Sequence, residues 1–301
     1  MKEKEIINTI KTTLQSKYIG DDCAFLKDLN IVVTQDNLVE DVHFSLKFTD
    51  AYKLGYKSAA VNISDICASG AKPLYLTAAL SLPETVDTDF IKEFYNGMKA
   101  ACKDVEIVGG DITGADKLYI SITAIGSSKN RRISSRKYAK AGQKIIVSGN
   151  HGSSGAGLIQ LFNGEKAGVF VNAHLMPEAK TEFSRQIAEN IKEDYAMTDT
   201  SDGLMEALMT IAYESGVCMS VDFSKIPHDK RIENIENWHD LIFFGGEDYE
   251  LVATVPDEYI QGFVIGEVKQ GYGVEVNYND KKILYTKEDI EKKVFNHFKE
   301  K

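Results

Sequence analysis

Aspartates recur along this chain in short motifs that also contain glycine, serine or threonine. The motifs read GDD, TQD, NISD, GGD and DTSDG, and their acids are Asp21, Asp22, Asp36, Asp65, Asp111, Asp199 and Asp202. Although a single loop aspartate is more often a cap or turn residue, each of these is predicted to lie where a strand or helix meets a loop, so folding can gather them at one mouth. Like charges in a low-dielectric cleft repel one another strongly unless cations bind between them. The pattern therefore predicts a metal-binding acidic site.

Ligands that are all oxygen select a hard cation, Mg²⁺ or Mn²⁺, over zinc. Magnesium in turn indicates a phosphate substrate, because phosphate oxygens complete its coordination and the ion neutralises charge on a transferred phosphoryl group. The ions would also bring a nucleotide to a protein whose net charge is −10. The same charge argues against nonspecific binding to DNA or RNA.

Several phosphate-binding signatures are missing from the sequence. No segment matches GxxxxGK[ST] or GxGxxG, so neither a P-loop nor a dinucleotide fingerprint holds the phosphates. The HRD and DFG motifs of protein kinases are missing too. The segment GNHGSSGAG, which starts at Gly149, is rich in glycine but has no lysine. We predict that it forms a tight turn between a strand and a helix.

Hydrophobic periodicity divides the chain into alternating helices and strands. Helices are predicted over residues 1–16, 50–69, 87–102, 154–162, 180–192 and 203–215, and from 287. Strands are predicted over 30–34, 74–82, the stretch leading into 109–111, 119–125, 144–148, 217–222, 249–255 and 263–268. A basic run from Lys129 to Lys140 interrupts this pattern, and we place a domain boundary there, giving domains 1–140 and 141–301. The alternation favours an α/β (α+β) fold with two layered domains over a bundle or a β-sandwich.

The composition is that of an ordinary folded protein. Of 301 residues, 43% are hydrophobic and 27% are charged, close to the globular average. The four cysteines form no CxxC pair, so neither a zinc knuckle nor a disulfide framework is indicated, and reduced cysteines in the cytoplasm are the default expectation. The N-terminus lacks the apolar core of a signal peptide, and no stretch is long and apolar enough to span a membrane.

Seven ordered motifs resemble those of one enzyme family. They are IGDDCAFL, TQDNLVEDVHF, VNISDICASGAKP, VGGDIT, SRKYAKAG, DTSDGL and GGEDYEL. Together they resemble the thiamine-monophosphate kinase family, in the superfamily of aminoimidazole ribonucleotide synthetase and selenophosphate synthetase. The resemblance implies the two-domain aminoimidazole ribonucleotide synthetase-like fold, with mixed sheets flanked by helices. The N-terminal domain would bind ATP and Mg²⁺ and form a homodimer by joining of the N-terminal sheets, and the C-terminal domain would complete the substrate site.

The resemblance also implies a reaction and a set of site residues. ATP would phosphorylate thiamine monophosphate to thiamine diphosphate, with several Mg²⁺ ions bound. The implied metal ligands are Asp22, Thr34, Asp36, Asp65, Asp111, Asp199 and Asp202. The implied ATP contacts are Gly110, Asp111, Arg136 and Ser201, and the implied substrate contacts are His43 and Glu247. Because the acids come with no nucleophile-and-base pair, we expect direct in-line transfer without a covalent intermediate or general base.

The chain departs from the family pattern at several positions. Gln35 replaces the usual Ser or Thr before Asp36, Asp41 replaces a glycine, and Gln143 replaces an acid. The Pro-Arg pair usual near the entrance to the second domain is missing from MPEAKTE. The tail reads VFNHF where relatives have an aromatic residue and Asp-His-Phe, and Phe295 is our candidate for the stacking surface that a tryptophan supplies elsewhere.

Alternative interpretations remain open at this stage. His43 lies on an apparent strand where a histidine is often structural, Arg136 belongs to a basic run that a solvated loop would explain, and Glu247 would equally ligate a metal or cap a turn. Two alternative functions also remain open: another ATP-using synthetase of the same superfamily, and an inactive Mg-nucleotide-binding regulatory module, of which Gln35 would be the first sign.

Overall fold

Two β-sheets, one in each half of the chain, organise the fold. The computed structural model describes residues 3–256, 259, 262–279 and 281–295. Its helices are α1 Glu3–Leu14, α2 Ala51–Ala68, α3 Thr88–Cys102, α4 Ser153–Phe162, α5 Val169–Leu175, α6 Thr181–Asn190, α7 Leu204–Ser215, α8 Trp238–Phe244 and α9 Lys287–Glu291. Its strands are β1 Ala24–Leu26, β2 Ile31–Val39, β3 Lys72–Leu82, β4 Glu106–Gly114, β5 Tyr119–Ser127, β6 Lys144–Val147, β7 Met197–Asp199, β8 Cys218–Asp222, β9 Leu251–Val255, β10 Phe263–Lys269, β11 Gly273–Tyr278 and β12 Lys281–Tyr285.

The N-terminal sheet has five strands in the order β1-β2-β5-β3-β4. Strands β3 and β4 are parallel, and the other neighbours are antiparallel. Alternate residues of a strand share a face, so Thr34 and Asp36 of β2 lie on the same face as Val32 and Leu38, which are buried in the core. This register places two polar side chains on the covered side of the sheet, which packs against α2.

Helix α2 lies at the centre of the N-terminal half and is buried along most of its length. The carboxylate of Asp50 caps its N-terminus by accepting the N–H of Lys53 at 2.8 Å. Gly70, with φ of +82°, follows its C-terminal cap, directly after the end of the helix predicted over residues 50–69. The helix crosses α3 closely, because a Cβ at Gly97 would lie 1.8 Å from the carbonyl oxygen of Tyr52. Two backbones in such close contact fix the position of α2 firmly.

The C-terminal sheet has seven strands in the order β12-β11-β8-β10-β6-β9-β7. A hydrophobic cluster that includes Ile63 and Ile66 of α2 also includes Ile146, Leu251 and Ala253 of this sheet. The two halves therefore share a core, and α2 lies at their junction. The boundary between domains at residues 140 and 141 stays a prediction.

The elements differ from the sequence-based expectations in a way that concerns the site. Strand β2 runs on to Val39, so Asp36 lies inside a strand, and Asp111 lies inside β4. The expectation that every acid lies where an element meets a loop is therefore wrong for these two. β1, β7, β11 and β12 and the short helices α5 and α8 were not predicted. Of the tail motif VFNHF, only Val294 and Phe295 are among the described residues; the rest of the motif lies outside them. No helix among those described is both long and apolar enough to cross a membrane.

Candidate active site

Three carboxylates from distant parts of the chain converge on one point. They belong to Asp22, before β1, to Asp65, in the last turn of α2, and to Asp199, at the end of β7. One oxygen of each lies within 4.8 Å of the others, a separation that suits ligation of one metal ion. The predicted gathering of acids by folding is therefore seen in this carboxylate triad.

Hydroxyl groups orient the triad. Thr34 Oγ1 donates to Asp65 Oδ2 at 2.6 Å, and Ser64 Oγ donates to Asp199 Oδ2 at 2.7 Å. Ser201 Oγ donates to the other oxygen of Asp199 at 3.0 Å. These bonds come from β2, α2 and the turn after β7, so the carboxylates are held from several elements at once.

The carboxylate of Asp22, the third of the triad, is held by the guanidinium of Arg136 and the hydroxyl of Thr198. Arg136 Nη2 donates to Asp22 Oδ1 at 2.7 Å, and Thr198 Oγ1 donates to the same oxygen at 2.8 Å. Arg136 Nη2 also lies 3.1 Å from Thr198 Oγ1, so the three groups form a closed set. The backbone N–H of Arg136 donates to Asp21 Oδ1 at 2.8 Å. The guanidinium is thus held beside the triad, in a position from which it could donate hydrogen bonds to anionic phosphate oxygens.

Burial and mutual repulsion disfavour the charged forms of Asp36, Asp65 and Asp199. Burial, with the charge of Asp22, raises the pKa of Asp199 to about 7. Burial, with the charges of Asp36 and Asp199, raises the pKa of Asp65 well above its usual value. The pKa of Asp36 is also raised, by burial and by Asp22. A cation bound among them would offset both effects.

A cavity of about 560 Å³ opens beside the triad. Asp36, Asp65, Ser201 and Asp202 line one part of it, and His43, Glu247 and Phe295 line another. Six of the twelve predicted metal, nucleotide and substrate residues therefore border one space. His43 follows β2 and accepts the N–H of Val39 at Nδ1, at 3.0 Å, so in its neutral form it carries its proton on Nε2.

Gly110 and Asp111 are the predicted residues that the fold keeps apart from the triad. Both lie on the edge strand β4, and Asp111 pairs through Ala79 and Ser121 with Asn37 on β2. Three strand spacings of about 4.8 Å therefore separate Asp111 from that strand. A Cβ at Gly110 would lie 1.9 Å from the carbonyl oxygen of Ala78, so strand packing alone requires glycine there.

Gln35, the departure that weakened the sequence pattern, lies on the other face of β2. Its Oε1 accepts a hydrogen bond from Thr123 Oγ1 at 3.0 Å, and its side chain is exposed. Thr34 and Asp36, on either side of it, point to the covered face. The Gln35 side chain therefore does not disturb the triad.

Sequence reasoning missed the residues that hold the acids in place. Thr198 bridges Arg136 and Asp22, and Lys57 lies 2.9 Å from Glu247. The signal that was present is the run of buried polar residues on an otherwise apolar helix, Lys57, Ser58, Asn62 and Ser64 of α2. Their partners are distant in sequence, so only the fold reveals what they bind.

Comparison with known proteins places the chain in a family. The AIR synthase related protein N-terminal domain matches residues 20–128, and the corresponding C-terminal domain matches residues 140–279. A thiamine-monophosphate kinase from Aquifex aeolicus is 34% identical over 90% of this chain and 93% of its own length. The chain belongs to the thiamine-monophosphate kinase family. Another member, from Bacillus subtilis, is 34% identical over 93% of both chains.

A solved structure supports the same family at the level of the fold. The structure of AaThiL complexed with AMPPCP and TMP superimposes with a TM-score of 0.88 at 32% identity, and covers 99% of this chain and 97% of that one. The family and the two-domain fold with mixed sheets flanked by helices, both predicted from the sequence, are thereby confirmed. The roles of individual site residues stay predictions.

Proposed function

We propose that this protein transfers the γ-phosphoryl group of ATP to the phosphate of thiamine monophosphate, giving thiamine diphosphate and ADP. The observation that carries the proposal is family membership over nine tenths of the chain, and it is supported by an acid-lined cavity that six of the predicted site residues border. The relative solved with AMPPCP and TMP holds an ATP analogue and the proposed acceptor together.

The donor set fits Mg²⁺. The triad of Asp22, Asp65 and Asp199 offers only oxygen ligands, and Asp36 and Asp202 line the adjoining cavity. Carboxylates whose pKa values are raised by burial and mutual repulsion gain most from a divalent cation. We assign these five residues and Thr34 to several Mg²⁺ ions. When bound, the ions would neutralise charge on the reacting phosphates.

The residues of the chain would contribute alignment. Arg136, fixed against Asp22, would hold triphosphate oxygens, and Ser201 would bind the nucleotide from the turn after β7. His43 and Glu247 would bind the acceptor from the opposite side of the cavity, with Phe295 as a stacking surface. The nucleophile is a phosphate oxygen that is already anionic, so the reaction needs no general base and no covalent enzyme intermediate.

We further propose a homodimer formed through the N-terminal sheets. Edge strand β4 exposes Val108 by 55% and Ile112 by 59%, and an exposed edge with apolar side chains favours pairing with another chain. A second copy packed there would give Gly110 and Asp111 a place at an interface, which is where their predicted nucleotide contacts could arise. We also propose a cytoplasmic location, which the four free, buried cysteines support.

One assay tests the function directly. Purified protein is incubated with ATP and thiamine monophosphate, with and without Mg²⁺, and the products are identified by mass spectrometry. We expect thiamine diphosphate and ADP in equal amounts, only when Mg²⁺ is present. Absence of thiamine diphosphate would overturn the function, and a phosphorylated protein formed from ATP alone would overturn the direct mechanism.

A further inference from the structure

Glu247 stands at the junction of two cavities. The larger one contains the acids Asp36, Asp65 and Asp202 in its lining. A second cavity of about 370 Å³ lies under the segment 41–49 that follows β2, with several aromatic and aliphatic residues in its lining. The residues common to both linings are Val42, His43, Leu158, His174 and Glu247. An acceptor whose phosphate points toward the acids would therefore pass the Glu247 carboxylate at this junction.

The backbone of Glu247 is held in an unusual conformation. Its φ is +65°, and the left-handed region is unfavourable for a non-glycine residue by on the order of 1 kcal/mol. The N–H of Glu247 donates to the carbonyl oxygen of Ser201 at 2.7 Å. The next residue, Asp248, accepts the N–H groups of Gly152 at 2.6 Å and Ser154 at 2.7 Å. These bonds over-determine the backbone and fix where the Glu247 side chain begins.

The side chain of Glu247 pairs with Lys57 through one oxygen and lies near His174 with the other. Lys57 Nζ lies 2.9 Å from Oε1, and the Lys57 side chain is only 4% exposed. His174 Nδ1 lies 3.5 Å from Oε2 and 2.9 Å from Ser154 Oγ. Burial, with the charge of Lys57, lowers the pKa of His174 to about 4, so Lys57 is the cation of this group near neutral pH. Burial acts to raise the pKa of Glu247, but Lys57 and His174 outweigh it and keep that pKa below its usual value.

Helix α2 connects this group to the metal-binding side of the site. Lys57 and Asp65 are eight residues apart on it, which corresponds to about 12 Å along the axis and to directions about 80° apart around it. Because α2 is buried and crosses α3 in backbone contact, the two side chains start from one rigid support. The position of the Glu247 carboxylate relative to the acids is therefore set through Lys57.

We propose that Lys57, assisted by His174, is a positioning residue that holds the Glu247 carboxylate toward the acceptor and so determines acceptor affinity. The proposal rests on the proposed function, because the contact of Glu247 with thiamine monophosphate comes from the family resemblance. Without Lys57 the buried carboxylate loses its cation and must turn away or take up a proton. Either change removes the contact with the acceptor and leaves the nucleotide side unchanged.

Steady-state kinetics of Lys57→Met test the proposal. We expect KM for thiamine monophosphate to rise at least about tenfold, with kcat and KM for ATP changed by less than about threefold. Lys57→Arg, which keeps the charge, should recover part of the affinity. The matched control is Lys53→Met, which makes the same change on the same helix and breaks a pair with Asp50 at 3.0 Å on its surface. The control should leave both KM values unchanged.

A double variant tests whether Lys57 and Glu247 act together or independently on acceptor binding. If Lys57 acts through Glu247, KM for thiamine monophosphate in Lys57→Met/Glu247→Gln should not exceed that of the worse single variant. Multiplied effects would overturn the proposal, as would an unchanged KM in Lys57→Met or equal rises for both substrates.

Two further results are decisive. Thermal denaturation shows whether Lys57→Met is folded. If it is not, Lys57→Arg and His174→Asn are tested instead. The proposal then requires that at least one of them raises KM for thiamine monophosphate more than KM for ATP. If the wild-type protein forms thiamine diphosphate and these variants have wild-type KM values, the positioning role is overturned and the proposed function stands. Wild-type protein that forms none overturns the proposed function and this inference with it.

Discussion

Asp65→Asn should uncouple catalysis from folding. Asp65 lies within 4.8 Å of two other carboxylates, and at an effective dielectric constant of about 20 two unit charges at that distance interact by about 3 kcal/mol. Removing its charge takes a comparable or larger attraction from a divalent cation. A loss of about 3 kcal/mol from transition-state stabilisation lowers kcat about a hundredfold. Because asparagine can still accept the hydrogen bond from Thr34, the metal-free protein should unfold at the same temperature as wild type or higher.

The assay is thiamine diphosphate formation across a Mg²⁺ titration, paired with thermal denaturation in a chelator. Asp28→Asn, the same change at an exposed aspartate near β1, is the control and should match wild type in both measurements. A kcat of Asp65→Asn within about threefold of wild type at saturating Mg²⁺ would refute the metal role. A large drop in its unfolding temperature would show instead that the acid is structural.

Other outcomes also follow from the structure. His43→Ala should raise KM for thiamine monophosphate and leave KM for ATP unchanged, whereas Arg136→Lys should raise KM for ATP, because lysine cannot reproduce two-pronged contacts with phosphate oxygens. Gly97→Ala places a methyl group 1.8 Å from a carbonyl oxygen and should lower the free energy of unfolding in urea by about 2 kcal/mol, whereas Gly114→Ala, with nothing within 4 Å, should not. Burial lowers the pKa of His151 to about 4, so the unfolded chain takes up a proton at this residue first as the pH falls below about 6.5, and the contribution of His151 to stability should decline by on the order of 3 kcal/mol between pH 7 and pH 4. In His151→Gln that acid decline should be smaller. Chelation of Mg²⁺ should abolish turnover reversibly.

Contrary results would be equally informative. An increase in KM for ATP alone in His43→Ala would reassign that residue to the nucleotide. Equal stabilities of the two glycine variants would mean that α2 and α3 can separate at little cost. If stability declined between pH 7 and pH 4 by the same amount in His151→Gln as in wild type, another group would be responsible for the decline.

The acidic residues could be found from the sequence, but their placement could not. Motif composition pointed to Asp22, Asp65 and Asp199 before any fold was known, and the triad contains those three. Asp36 was also identified, yet it was expected at the end of a strand, because the polar residues after Thr34 hid the continuation of β2 to Val39. Alternation along β2 contained the missing signal, since Thr34 and Asp36 fall in phase with buried Val32 and Leu38.

Elements away from the motifs were predicted less completely. The long helix α2 followed from apolar periodicity, and Asp87 caps α3 at the start of the helix predicted over residues 87–102. The hairpin β11–β12 and the helices α5 and α8 were missed, because each of these elements is only five to seven residues long. Contacts such as Thr198 with Asp22 join residues far apart in sequence, and no local pattern encodes them.

The position of the segment 41–49 matters for how this enzyme could change its acceptor. That segment forms much of the wall of the smaller cavity, yet it belongs to neither sheet and carries none of the triad. Replacing its side chains would reshape the space available to an organic group while the charged centre and its supporting helix stay intact. New acceptor preferences are therefore reachable by exchanging one surface loop, without any change to α2, which carries both Lys57 and Asp65.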